Sequence, residues 1–329
     1  MAGPGGGECA RGHRPAAGYR RMNRPQRGVA LLVVLWACTL LAIVVGGFAS
    51  IARVEALQTR FTLAQQRARY AAEAGIMQAI AATDARRRQA VLAPTEATPP
   101  ARLPGDGRAL ALDFEDMHVA VGIVDETGKV DINRADSRTL EALFLAAGCG
   151  APRAAALKDQ VERWRGPVPG PVGDDGAPRA IARPAATAGR YVSFAAIEEL
   201  QALPGMDAEL FVRIAPAVTV WSGQTAPEPR FAPLLALATL RGVDLAQARA
   251  IVMARDSAPP GTVLHDLPGG ISLGDPLPGN AFTFSAAADD GHGGRATVEA
   301  TVVFALAASE RVPGQPLYTI VRWRDGPAS

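Results

Sequence analysis

The sequence predicts an α+β protein: a very long N-terminal helix packed on an antiparallel sheet, with an all-helical domain of helix-hairpin-helix-like units inserted between the sheet's two halves. Three observations predict it. An uncharged run from Gly28 to Ala52 passes without proline into an amphipathic segment that reaches residue 90. Val- and Ile-rich strings of strand period lie before residue 125 and again after residue 280. Between them, apolar helical text is broken by short hairpins containing glycine. At 329 residues the chain is long enough to give such parts real cores.

The first element is basic. Residues 1–28 hold six arginines (Arg11, Arg14, Arg20, Arg21, Arg24, Arg27) against one acid, Glu8. The whole chain carries a net charge of +2, and the remainder, with 28 basic and 31 acidic residues, carries −3. That balance argues against a nucleic-acid surface, which needs clustered cations to displace counterions.

The next element is the apolar run. Its 25 uncharged positions exceed the roughly 20 that span a bilayer core. A secretory signal core is shorter, about 7–15 residues. The arginines before the run predict a cytoplasmic N-terminus and an external body. From Val54 the positions Leu57, Phe61, Ala64, Ala68, Ala72, Ile76 and Ile80 recur at helical spacing. Residues 29–90 therefore read as one helix, roughly 90 Å long, stopped by "APTEATPPARLPGDG".

Residues 105–134 supply the first part of the sheet, with strands at about 110–115 and 117–124 and a turn at "DETGK". Residues 135–258 form the helical insertion. Asp136 is the expected N-cap of its first unit, which ends near Arg165. Ser193 is the expected cap of the second, whose hairpin is Leu203-Pro204-Gly205-Met206. The third unit is weaker, with its hairpin at Arg241-Gly242-Val243-Asp244. Residues 262–329 return to strands in "AFTFSAAAD", "GRATVEATVVFALAAS" and "PLYTIVRWRD".

Catalytic readings find little support. "GISLG" matches G-x-S-x-G around Ser272, but lacks the strand before and the helix after that the chemistry needs. His118, His265 and His292 are scattered, and Cys9, Cys38 and Cys149 form neither a disulfide framework nor a C-x-x-C site. The chain reads as a non-enzyme. Hairpins of the "LPGM" type raise a second reading, a membrane-tethered helix-hairpin-helix DNA-binding protein of a competence-like system. Asp207, directly after Met206, and then Glu209 would repel phosphate.

A basic leader ending in glycine, followed at once by this helix, resembles a type IV prepilin signal. The segments "RGVALLVVLW", "YAAEAG", "VDETGKVDINRA", "SFAAIEELQALPGM", "APAVTVWSG" and "YTIVRWRDG" together resemble the minor pseudopilin K family of type II secretion (general secretion pathway protein K). The resemblance covers nearly the whole chain after residue 28. It implies a pilin-like fold and a prepilin leader, residues 1–28, cut by the prepilin peptidase between Gly28 and Val29. Methylation of the new N-terminus is implied with it. Most pilin-like proteins carry Glu at the fifth mature position; here that position is Val33, and this family lacks the acid.

The same resemblance implies a single-pass inner-membrane protein, anchored through residues 29–52 with a periplasmic body, that assembles at the pseudopilus tip to help export folded proteins across the outer membrane. Its implied partners are the I and J minor pseudopilins, the inner-membrane secretion platform and the peptidase, with no nucleic acid. It also associates the family with Ca2+. The loop-borne acids that could serve are Asp174, Asp175, Asp289 and Asp290, for which the simpler reading is solvated turns. Initiation at Met22 instead of Met1 would give a leader of the more usual short length.

Overall fold

The computed structural model describes residues 26–92, 105–114, 116–166, 193–259, 266–268, 270–273, 279–305 and 316–326. In chain order they form helix α1 (Gln26–Leu92), strands β1 (Asp106–Phe114), β2 (Met117–Asp125) and β3 (Val130–Asp131), then helices α2 (Ser137–Ala146), α3 (Ala151–Arg165) and α4 (Ala208–Ile214). Strand β4 (Val218–Thr219), α5 (Leu234–Leu237), α6 (Leu245–Ser257), β5 (Asp266–Leu267), β6 (Ile271–Ser272), β7 (Ala281–Asp289), β8 (Arg295–Phe304) and β9 (Tyr318–Asp325) follow. The long helix and the antiparallel sheet make this an α+β fold.

Residues Met1–Arg60 and Phe61–Ser329 are two separate compact units. In the second, α1 buries Ala68, Ala72, Gly75, Ile76, Ala79 and Ile80, a stripe at spacings of three and four. The stripe predicted to begin at Val54 begins later: Val54, Leu57 and Phe61 are more than half exposed. Periodicity records a helix's two-sidedness but not where its cover starts. Cover starts near Ala64, where a Cβ added to Gly294 would lie 2.9 Å from the Ala64 Cβ.

The five-stranded sheet runs β1-β2-β7-β8-β9, all antiparallel. Strand β1 begins at Asp106, four residues earlier than its apolar alternation suggested. The two halves of the sheet meet where β2 pairs with β7, without a register break from His118↔Asp289 to Asp125↔Phe282. Val119, Val121 and Ile123 of β2 face the helix stripe together with Phe284, Ala286, Val298, Ala300 and Val302. Alternate positions point to the other face. Small residues on α1 let the layers come close: a Cβ on Gly75 would lie 2.9 Å from Val119 Cγ1 and 3.1 Å from Val121 Cγ2.

The helical module has a separate core built from Leu140, Leu143, Phe144, Leu157, Leu200 and Ile214 among others. Asp136, Asp207 and Asp244 each cap a following helix by accepting its third backbone N–H. Two departures from the sequence reading concern the second and third units. The second opens on a 3₁₀ turn, Ile197–Ala202, that Ser193 does not cap. Its approach is set by Asn133, whose side chain receives the N–H of Phe194 at 2.9 Å and donates to the Phe194 carbonyl at 3.0 Å. In the third unit, the first helix is only four residues long.

A short parallel pair, β3 with β4, joins the start of the module to its second unit. Buried Asp131 reinforces it by accepting from Asn133 N at 2.8 Å, Gly223 N at 2.7 Å and Ser222 Oγ at 3.2 Å. Burial raises this carboxyl above its ordinary pKa, and the three hydrogen bonds oppose the rise.

Two substitutions test this packing. Gly75→Leu should destabilise the body by about 1–3 kcal/mol through overpacking against β2, read as a lower thermal midpoint. An unchanged midpoint would mean that the layers are not in close contact at Gly75. Asp131→Ala should cost about 1–3 kcal/mol by stranding buried donors, measured by urea unfolding.

Candidate functional site: the exposed helix and the hairpin module

Residues 29–63 of α1 are exposed throughout. The helix contains a window of mean hydropathy 2.8 with none of that window buried, so it is long and apolar enough to cross a membrane. Exposed leucines, valines and isoleucines lie on all sides, with Trp36 and Phe48 among them. Such a surface is stable only against lipid or other apolar helices.

Val33 is 60% exposed and takes its place in this surface like its neighbours. Gly28 and Val29 lie in the first turn, since α1 starts at Gln26. Backbone N–H groups there have no partner within the helix, so opening that turn is cheap. Gly46 and Gly47 sit mid-helix, and a Cβ on either would meet nothing within 4 Å. Each costs the helix about 1 kcal/mol relative to Ala, and no contact among the described residues requires it. Small residues at such points allow another helix to approach closely.

The three hairpins of the module turn on Gly148, Gly205 and Gly242, with φ of 92°, 90° and 76°. The first carries two glycines, Gly148 and Gly150, around the half-buried Cys149. Its nearby cation is already engaged: Arg153 Nη2 donates to Gly205 O at 2.9 Å and pairs with Asp207 at 2.6 Å. The backbone N–H of Leu210 and this guanidinium hold the Asp207 carboxyl below its ordinary pKa. Arg213 pairs with Glu209 and donates to Ala147 O at 2.6 Å. The hairpins therefore brace one another, and the turns at Asp207 and Asp244 present carboxylates where a phosphate would need free amides. On the module surface, Val212 and Met253 are about 70% exposed.

The module is clasped to both edges of the sheet. On β9, Arg322 and Arg324 both bond Glu198, and the Arg322 guanidinium lies 5.9 Å from the Trp221 ring centre. On β1, Arg108 pairs with Asp106 at 2.7 Å and donates to the carbonyl of Ala258. Trp164 stacks on Phe194 at 5.4 Å, so it packs locally, whereas Trp323 remains 36% exposed.

The acids considered for calcium fall into two groups. Asp174 and Asp175 lie outside the described residues. Asp289 and Asp290 close the β7–β8 hairpin. Asp289 accepts from Gly291 N and pairs with Arg295, both at 2.7 Å. Asp290 accepts from His292 N and Gly294 N, both at 2.8 Å, which lowers its pKa. Among the described residues no three His, Cys, Asp or Glu side chains converge on a point. Ser272 lies in a two-residue strand paired with β5, without the buried strand that a nucleophile elbow requires.

Sequence reasoning missed the edge clasps and the Asn133–Phe194 pairing. They join residues up to about 150 positions apart, and only isolated polar side chains in loops and edge strands marked them.

Comparison with known proteins gives three results. The family described as type II secretion system (T2SS), protein K matches residues 120–223. No curated protein matches the chain. Among solved structures, the chain is similar to one in the crystal structure of the GspK-GspI-GspJ complex from the enterotoxigenic Escherichia coli type 2 secretion system. That likeness has a TM-score of 0.45 and 15% identity, and it covers 82% of this chain and 99% of the other. The family match runs from β2, through the "DETGK" turn and the first two hairpin units, to Gly223, whose N–H Asp131 holds. Over residues 120–223, about a third of the chain, the sequence is similar to the type II secretion system protein K family.

Proposed function

We propose that the chain is a minor pseudopilin that caps the pseudopilus of a type II secretion machine and helps export folded proteins across the outer membrane. One observation carries the reading: a chain whose residues 120–223 match the protein K family also carries a helix whose 35 positions from Val29 to Leu63 are exposed and mostly apolar. A helix apolar all round must be covered by lipid or by other helices. In the membrane, residues 29–52 anchor the precursor, with the basic leader in the cytoplasm and the body in the periplasm. After the peptidase cuts between Gly28 and Val29, the same surface packs against neighbouring helices in the fibre.

Tip placement rests on Val33. A subunit inside the fibre needs an acid at this position to neutralise a neighbour's N-terminal amine, because a lone charge among apolar helices is costly. A subunit at the end has no neighbour beyond it to serve. The proposed partners are the I and J minor pseudopilins, with the secretion platform and the peptidase during assembly.

Two variants test the two steps. Gly28→Asp should block processing, so that blots show the long form accumulating and the short form disappearing; an unchanged ratio would remove the cleavage site from the proposal. Val33→Glu should impair secretion and move the protein away from the fibre end. A variant that secretes normally from the tip would show that the missing carboxylate does not set its place.

A further inference from the structure

The seam between sheet and module is built on a pair of buried acids. Asp125 ends β2 and Glu126 opens the 3₁₀ turn Glu126–Gly128; they are 3% and 0% exposed. Asp125 Oδ1 accepts from Thr127 N at 2.9 Å and Thr127 Oγ1 at 2.6 Å, and a Cβ on Gly279 would lie 2.9 Å from the Asp125 carboxyl carbon. Glu126 Oε1 accepts from Lys129 Nζ at 2.6 Å and from Thr283 Oγ1 of β7 at 2.7 Å. Its Oε2 has no hydrogen-bond partner among the described residues. On the module side, Thr127 O receives Glu228 N at 2.8 Å, and Gly128 abuts the backbone of Phe231. The turn is thus wedged between β7 and the loop ahead of α5.

We propose that Asp125 and Glu126 form a pH-sensitive latch that holds the helical module to the sheet when Asp125 is protonated and loosens it when both acids are charged. The charged groups acting on Asp125 are its neighbour Glu126, itself paired with Lys129, and Arg87 from α1. Burial chiefly raises the Asp125 pKa to about 6, and the Glu126 charge adds to the rise; the Thr127 hydrogen bonds and Arg87 oppose it. An acid raised in the folded state favours folding below its unfolded pKa, and that contribution is lost as pH climbs through about 6. Protonation removes one of two adjacent buried negative charges. Ionisation restores the conflict on a turn that touches both layers.

Hydrogen exchange on the full chain in detergent micelles, corrected for the intrinsic pH dependence of exchange, tests the latch. From pH 5 to pH 7 the opening of segments 125–129 and 226–232 should increase roughly tenfold, with helix α2 little affected. Asp125→Asn should abolish that increase. Glu126→Gln, which keeps the shape but removes the neighbouring charge, should move the transition to lower pH; this variant also stands alone if Asp125→Asn does not fold. Equal opening at both pH values in the wild type would overturn the proposal. So would an undiminished increase in Asp125→Asn or an unmoved transition in Glu126→Gln.

Discussion

The pairing of β2 with β7 is the contact on which the body depends. It joins residues 117–125 to 281–289 in an unbroken antiparallel ladder, so the whole helical module leaves and rejoins the sheet at neighbouring points. Closing so long an insertion is less costly than its length suggests, because loop-closure entropy grows only as the logarithm of length. The two strands also bring their apolar faces onto one side, and α1 covers that side with alanines, glycine and isoleucines. Without this ladder, β1–β2 would be an isolated hairpin, which is marginal in water.

The ladder fixes one end of the module, but it does not orient it. Orientation comes from the polar contacts at the two sheet edges, Arg108 at β1 and the Glu198–Arg322–Arg324 group at β9. Individually, such partly exposed ion pairs contribute little stability. Their value is geometric, since they engage opposite edges of the sheet and a module held at both has little freedom to pivot about the 125–128 turn. They also occupy edge strands that would otherwise present bare backbone to other chains. The separate cores of sheet and module support the same division of labour, in which apolar packing stabilises each part and polar contacts set their relation.

Much of this was legible in the sequence for physical reasons. The long helix was clear because Pro is absent from residues 29–90 and the spacing is regular, and the Asp136 cap because a short acid precedes an apolar run. Strands β7 and β9 were readable from alternation and bounding turns. Less was readable where tertiary contacts override local text. Ser193 has the form of a cap, yet Asn133 sets that approach from 60 residues away. Val54, Leu57 and Phe61 continue the buried stripe in sequence while standing outside it in structure. Asp289 and Asp290 read as loose turn acids on composition alone, whereas in the structure they accept backbone N–H groups of their own hairpin and Asp289 also pairs with Arg295. For the candidate site, the apolar helix was visible at once, because charge distribution and hydropathy are local properties. The seam at Asp125 and Glu126 was not, since nothing in "DETGK" indicates that its acids will be buried.

The exposed half of α1 and the buried half obey the same helical geometry but answer different requirements. From Ala68 onward the helix uses small residues to approach a sheet of its own chain, and Gly75 has a steric reason to be glycine. At Gly46 and Gly47 the same residue type appears where an added Cβ would meet nothing of the described residues within 4 Å. A glycine tolerated mid-helix at about 1 kcal/mol, in a segment that must be covered by something apolar, is best explained by a requirement outside the chain. Close packing of a neighbouring helix supplies one, and lipid alone does not, because lipid tails conform to any side chain. The glycine pair therefore favours a segment that ends in an assembly over one that serves solely as an anchor.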